Sequence, residues 1–197
     1  MARKIQLNSA YGAIGNQYFR YYNLANAEAI TLSGQVSIRW IEQRMNKYLN
    51  KILNTQEEDY VIASDTDSIY LNLGPLVHSV YKGREKNAES VVAFLDKVCK
   101  LELEKYIESS YEALGNYVGA YEQKMIMKRE NIANKGIWTA KKRYILNVWD
   151  SEGVRYEKPK LKIMGIEAVK SSTPAACRNS IRDCLTVIMN EDEEAAQ

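Results

Sequence analysis

Between Leu24 and Ile52 apolar residues recur in steps of three and four, at Ala27, Ile30, Gly34, Ile38, Ile41, Met45, Tyr48, Leu49 and Ile52. That spacing lines one side of a helix. No proline interrupts the run, so the chain commits to a single helix roughly 40 Å long at 1.5 Å per residue. Such an amphipathic rod needs a broad apolar partner. Tyr60-Val61-Ile62-Ala63 and Ile69-Tyr70-Leu71 bracket the polar run Ser64-Asp65-Thr66-Asp67-Ser68, a pattern of strand, turn and returning strand.

A second long helix is predicted from Asn87 to Tyr117, with Val91, Leu95, Val98, Tyr106, Leu114 and Tyr117 inward. Three strands should follow: Lys124 to Ile132, Trp138 to Asp150, and Arg155 to Ile166, the last two joined by Ser151-Glu152-Gly153. Ser171-Ser172-Thr173-Pro174 opens a final helix, with Thr173 as cap and Pro174 at the first helical position. Hairpins set between long helices indicate an α+β fold with an antiparallel sheet rather than a doubly wound parallel one. Three prolines in 197 residues and no Gly/Ser-rich linker predict no boundary between residues 20 and 170. The opening residues begin in mid-pattern and the last helix stops at Glu191-Asp192-Glu193-Glu194, so a fragment of a larger protein is expected.

Composition narrows the class. A 46% hydrophobic and 26% charged chain is globular rather than disordered. The net charge of +2 does not by itself mark a nucleic-acid binder. Cys99, Cys177 and Cys184 form no Cys-x-x-Cys pair and His78 is the sole histidine, which excludes a zinc site and favours reduced thiols in a cytoplasmic setting. No apolar run of about 18 residues is present to span a membrane, and Met1 to Ile5 lacks a signal-peptide core. The 14 tyrosines against 2 phenylalanines suit wet clefts and interfaces, or simply the rim of a core.

Three groups of residues carry chemistry. Asp65 and Asp67, one residue apart at an apolar hairpin tip, can share a hard cation such as Mg²⁺. The same Asp-Thr-Asp-Ser run is also good turn chemistry, and D-x-D occurs in sugar-nucleotide transferases as well. Lys4, Asn8 and Tyr11, at i, i+4 and i+7, put an ammonium, an amide and a phenol on one helix face, with Gly12 and Gly15 expected to end that helix. Residues 128 to 144 hold Lys128, Arg129, Lys135, Lys141, Lys142 and Arg143 against the single acid Glu130. Such a cluster meets polyanions, with Tyr144 and Trp138 interleaved, or protects an edge strand. If the segment is a strand, Lys142 and Tyr144 share one face, and Lys141 and Arg143 the other.

Together these motifs resemble family B DNA polymerases of the tailed-bacteriophage replicative type. Lys4-Ile5-Gln6-Leu7-Asn8-Ser9-Ala10-Tyr11-Gly12 is similar to the family's K-x-x-x-N-S-x-Y-G run. Ser64 to Ser68 is similar to its D-T-D-S hairpin, and Lys141-Lys142-Arg143-Tyr144 to its K-K-R-Y element. Phe19-Arg20-Tyr21-Tyr22, Leu146 to Asp150, Lys160 to Gly165 and Lys170 to Pro174 extend the likeness over the whole chain.

The resemblance implies an antiparallel palm sheet backed by long helices. Residues 1–15 would be the end of the fingers, 16–172 the palm and 173–197 the start of the thumb. Asp67 would bind both catalytic Mg²⁺ ions, with Asp65 a supporting carboxylate and Glu130 an auxiliary one. Lys4, Asn8, Tyr11, Thr66 and Ser68 would face the incoming dNTP. Gly12, Lys141, Lys142, Arg143 and Tyr144 would face primer-template DNA. The chain departs from the pattern in three ways: Lys128 stands where an Asp is expected two residues before Glu130, the Ile132 to Trp138 connection is short, and no D-x-x-S-L-Y-P-S element occurs. These departures imply weak or absent Mg²⁺ binding and an isolated chain that does not polymerise. The remaining polymerase portions would be its partners, in cis or as a separate chain, in the host cytoplasm. The alternatives are a non-catalytic nucleic-acid-binding subunit of a split polymerase and, more remotely, a D-x-D sugar-nucleotide transferase.

Overall fold

The long periodic run forms α2, Leu24–Leu53, in the computed structural model of the chain, which describes residues 2–82 and 87–191 without the side chains of Ala2, Lys4, Leu7 and Asn8. Asn23 caps α2 by accepting from the Asn26 amide, and Asn54 closes it in the left-handed region at φ 53°. Ala27, Ile41, Met45 and Leu49 are buried, whereas Ile30 and Ile52, expected inward, are 49% and 47% exposed. Before it lies α1, Ala2–Ile14. Gly12 does not end α1; a lone helical glycine costs only about 1 kcal/mol, and the helix runs on to Ile14.

Chain contacts gather into two compact units, residues 1–76 with 107–125 and residues 77–106 with 126–197. The expectation of no boundary between residues 20 and 170 is therefore corrected. Two of the crossings run inside helices, α3 (Gly74–Val80) and α5 (Glu104–Val118), so no linker composition marks them.

In the first unit β1 (Val61–Asp65) and β2 (Ser68–Leu71) pair antiparallel, with Asp65 opposite Ser68. Two α2 asparagines seat this hairpin. Asn46 Oδ1 accepts from the Tyr60 and Val61 amides at 2.9 and 3.0 Å, and Asn46 Nδ2 donates to Asp59 at 2.7 Å. Asn50 donates to the Asn46 and Glu58 carbonyls and accepts from the Thr55 hydroxyl and the Glu58 amide. Trp40 of α2 donates to the Ser110 carbonyl at 2.9 Å and stacks on Tyr117, which is otherwise 81% exposed.

The second predicted helix is α4 (Ala88–Val98), a π-helical turn at Cys99–Leu103, and α5. Val92, Cys99, Leu103, Ile107, Tyr111 and Leu114 are buried, so of the expected inward set only Leu114 is, and Tyr117 is corrected to the surface. The three cysteines are free thiols, and burial pushes Cys99 up to about 11.

The second unit holds the antiparallel sheet β3-β4-β5: Asn131–Ala140, Arg143–Ser151 and Val154–Met164. Residues 124–130 are not a strand, which corrects the first expected strand, and the strand expected from Trp138 to Asp150 is interrupted by a turn at Lys141-Lys142. Lys141 and Lys142 therefore sit at a hairpin tip, and the face alternation expected through them does not apply. Central β4 has Tyr144 to Val148 all buried, as a strand covered on both faces requires. Its Ile145 joins Ile166, Ala168 and Met189, with Leu161, Ile163, Ile181 and Leu185 around them. Met189, Leu185 and Ile181 belong to α6, Ala175–Asn190, whose spacing of four lays one stripe on the sheet. Thr173 does not cap α6; Pro174 takes the cap position with no side-chain bond, and its carbonyl accepts from the Arg178 amide at 3.0 Å. Among the described residues no helix is long and apolar enough to cross a membrane.

Candidate functional site

The first-unit hairpin turns on Thr66 and Asp67, with Thr66 left-handed at φ 55°. Short polar side chains hold it. The Thr66 hydroxyl donates to Asp65 Oδ1 at 3.0 Å, the Ser68 hydroxyl to the Asp65 carbonyl at 3.2 Å, and the Asp67 amide to that same carbonyl at 2.6 Å. Asp67 is exposed and Asp65 half-buried, so both expected carboxylates occupy one hairpin tip. Beneath lies buried Tyr111, whose phenol is raised by desolvation and then by the charge of Asp67. Among the described residues no group of three or more His, Cys, Asp or Glu stands ready to hold a metal. The pair offers only hard oxygen donors, which fits Mg²⁺ but fills part of its shell.

On α1, Tyr11 is 48% exposed and its hydroxyl shares a 2.8 Å hydrogen bond with the Thr31 hydroxyl of α2. Gly12 faces open space, with nothing within 4 Å of where a Cβ would stand. The side chains of Lys4 and Asn8 lie outside the described residues.

In the second unit Lys141 and Lys142 form the exposed two-residue turn between β3 and β4, with Ala140 opposite Arg143 and Lys142 left-handed at φ 61°. Arg143 pairs with Glu167 at 2.6 Å, both side chains half-exposed, and Lys170 bonds the other oxygen of Glu167 at 3.0 Å. The Lys170 bond, a backbone bond and Arg143 hold the Glu167 carboxyl below the usual range. Tyr144 is only 8% exposed, its ring tilted against Trp138 at 6.3 Å. Gly136 makes room for that pair, since a Cβ there would come within 2.7 Å of the Trp138 ring.

Glu130 is exposed, with Lys162 at 3.9 Å. Its neighbour Arg129 is buried and bridges two carboxylates, Asp150 through Nη1 and Asp96 through Nη2. Its amide also donates to Glu104 at 3.0 Å. Burial pulls the Arg129 guanidinium down, but the bonds to Asp150 and Asp96 outweigh it and hold the group up. Asp96 is lowered first by its bond to Lys100, then by Arg129. Asp150, 1% exposed, also accepts from the Gly153 amide at 3.0 Å and so ties the β4–β5 turn to the cluster.

The sequence model of DNA polymerase family B matches residues 1–197. The chain belongs to DNA polymerase family B. It is 44% identical to the DNA-directed DNA polymerase of Escherichia phage RB69 over 199 residues, covering 97% of this chain and 22% of that protein. It is 43% identical to the DNA-directed DNA polymerase of Enterobacteria phage T4 over 203 residues, covering 99% of this chain and 23% of that one. The chain thus spans about a fifth of the length of these curated relatives.

In this family B chain the expected site residues divide between the units: Tyr11, Gly12 and Asp65 to Ser68 in the first, Glu130 and Lys141 to Tyr144 in the second. Sequence reasoning missed Gly165, Glu167 and the Asp96–Arg129–Asp150 cluster. A carboxylate inside the apolar run Leu146 to Asp150 was the available signal for the cluster, because a buried charge demands a partner. For Gly165 the signal was a lone glycine closing an alternating strand.

Proposed function

We propose that the chain is the palm of a DNA-directed DNA polymerase, residues 16–172, with the end of the fingers at 1–15 and the start of the thumb at 173–197. The parent reaction is nucleotidyl transfer: the primer 3′-hydroxyl attacks the dNTP α-phosphorus, the α–β bridging bond breaks and pyrophosphate leaves. What supports this reading is the whole-length family match, joined to a tight turn that carries Asp65 and Asp67 at one tip.

Asp67 and, beside it, Asp65 would hold Mg²⁺, which when bound neutralises charge on the attacking and leaving oxygens. The chain's own residues do the rest. The Thr66 hydroxyl orients Asp65, and Thr66 and Ser68 fix the turn under the triphosphate. Lys4 receives phosphate charge, Asn8 and Tyr11 border the nascent base pair, and Thr31 holds the Tyr11 hydroxyl in place. Gly12 lets the duplex approach α1. Lys141 and Lys142 meet DNA phosphates and the minor groove from their turn. Tyr144 backs them from within the sheet, and Arg143 supports the turn through Glu167. Glu130 is an auxiliary carboxylate. The setting is the host cytoplasm.

The 197 residues alone are expected not to polymerise and to bind Mg²⁺ weakly, because two carboxylates leave the coordination shell incomplete. Fluorescence anisotropy with a primer-template duplex is the first test. Binding should weaken with salt, and Lys142→Ala should remove about 0.9 from the log–log salt slope. Salt-independent binding, or none, contradicts the nucleic-acid reading. Robust Mg²⁺-dependent primer extension abolished by Asp67→Ala would overturn the inactivity of the isolated chain while upholding the parent reaction.

A further inference from the structure

Gly165 follows β5 at φ +68°, where its backbone passes directly under the Lys141-Lys142 turn. A Cβ at this position would stand 2.2 Å from the Lys142 carbonyl oxygen, and 3.2 Å from both the Lys142 carbonyl carbon and Arg143 Cγ. The nearest obstacle is backbone, which cannot rotate aside as a side chain can. Lys142 is itself left-handed, and the residue after it is tethered twice: Arg143 to Glu167 at 2.6 Å, and the Arg143 carbonyl to the Thr139 hydroxyl at 3.2 Å. The turn is therefore gripped from outside its own hairpin, by a glycine that admits close approach and by an ion pair that anchors its flank.

We propose that Gly165 and the Arg143–Glu167 pair are positioning residues that present the Lys141-Lys142 turn to a nucleic-acid phosphate backbone, an inference that rests on the nucleic-acid reading above. Arg143 pairs with Glu167, and Lys141 and Lys142 carry the other positive charges of this tip. Their reach depends on a backbone held from beneath rather than on their own flexible stems.

Gly153 provides a control within the same sheet. It is also left-handed, at φ +89°, but nothing lies within 4 Å of where its Cβ would stand. Gly153→Ala thus imposes backbone strain without touching the lysine turn.

The test uses the 197-residue chain in two measurements. In hydrogen exchange, Gly165→Ala should speed the Thr139 to Tyr144 amides by about tenfold, while Gly153→Ala affects only its own turn. The Glu167 side chain is half-exposed and lies outside the apolar core, so Glu167→Ala leaves that core intact and should speed the same amides several-fold; it decides the matter if Gly165→Ala does not fold. In anisotropy with a primer-template duplex, Gly165→Ala should lower the salt slope by about 0.9, as Lys142→Ala does. Added to Lys142→Ala, it should cost no further affinity, a coupling that a merely structural glycine would not show. Unchanged exchange in the folded variants, or additive affinity losses, overturns the positioning inference. A wild-type chain that ignores the duplex defeats the nucleic-acid reading instead, and exchange alone then decides whether Gly165 and Glu167 hold the turn.

Discussion

Two hairpins of this chain solve the same geometric problem by opposite means. Each turns on two residues, and each puts a non-glycine residue in the left-handed region: Thr66 at φ 55° and Lys142 at φ 61°. The acidic turn, at the tip of its hairpin, is held by its own residues, with the Thr66 and Ser68 hydroxyls and the Asp67 amide all bonding to Asp65. The basic turn has one local tether, the Thr139 hydroxyl on the Arg143 carbonyl, and adds support from residues more than twenty positions away, Gly165 and Glu167. Asp, Thr and Ser have short polar side chains that bond nearby backbone. Lysine cannot do this, since its long stem carries the donor away from the turn, so a lysine turn has to borrow its rigidity from the tertiary fold.

The contrast can be broken at several points. The largest effect is expected where remote support is greatest, in the ion cluster of the sheet that carries the basic hairpin. Asp150→Ala leaves buried Arg129 with one carboxylate fewer and should cost about 3–5 kcal/mol in urea unfolding. Asp150→Asn should recover part of that loss, because it still accepts from the Gly153 amide. A loss below 1 kcal/mol would show that the cluster is not what holds the sheet.

Asn46→Ala comes next. It strips the acceptor from the Tyr60 and Val61 amides at the start of β1 and should cost about 1–3 kcal/mol by the same measurement. If the acidic hairpin were wholly self-supporting beyond its turn, this substitution would be silent. Substituting glycine at the two turns sharpens the comparison directly. Lys142→Gly should raise stability by about 1 kcal/mol through relief of left-handed strain while weakening duplex binding. Thr66→Gly should gain less, because it also deletes the hydroxyl bond to Asp65. Equal gains at both turns would remove the distinction between local and remote support.

The smallest effect is an acid one. Asp96 is held below its ordinary range, so its contribution is complete above the unfolded-state value and is lost as pH falls through the lower folded-state value. Stability should therefore decline from about pH 4 downward, the ordinary Asp range. In Asp96→Asn that part of the decline should vanish. An identical acid profile for both proteins would assign the acid sensitivity elsewhere.

Much of this was legible in the residues. The α2 period, the Asp-Thr-Asp-Ser turn and the Glu152-Gly153 turn are local signals, set by spacing or by side chains that bond their neighbours. The Glu152-Gly153 turn closes with both residues at positive φ, 53° and 89°, as a tight β-hairpin prefers. The stripe of the second helix is displaced already at Val92, ahead of the π-helical turn, because Val91 and Val92 are both apolar and spacing alone does not choose between them. The Lys141-Lys142 turn reads as strand in the sequence because neither residue is a turn former.

What the sequence determined by itself, then, is whatever depends on near neighbours: the helical period, the acidic turn, the α+β class and the motifs that resemble family B. Only the tertiary structure decided that Lys141 and Lys142 stand at a tip, that Arg143 pairs with Glu167, and that Arg129 joins Asp96 to Asp150. Those outcomes need residues distant in the chain to meet at close range. A glycine 23 positions downstream of Lys142 acquires its meaning only when β5 brings it under that turn.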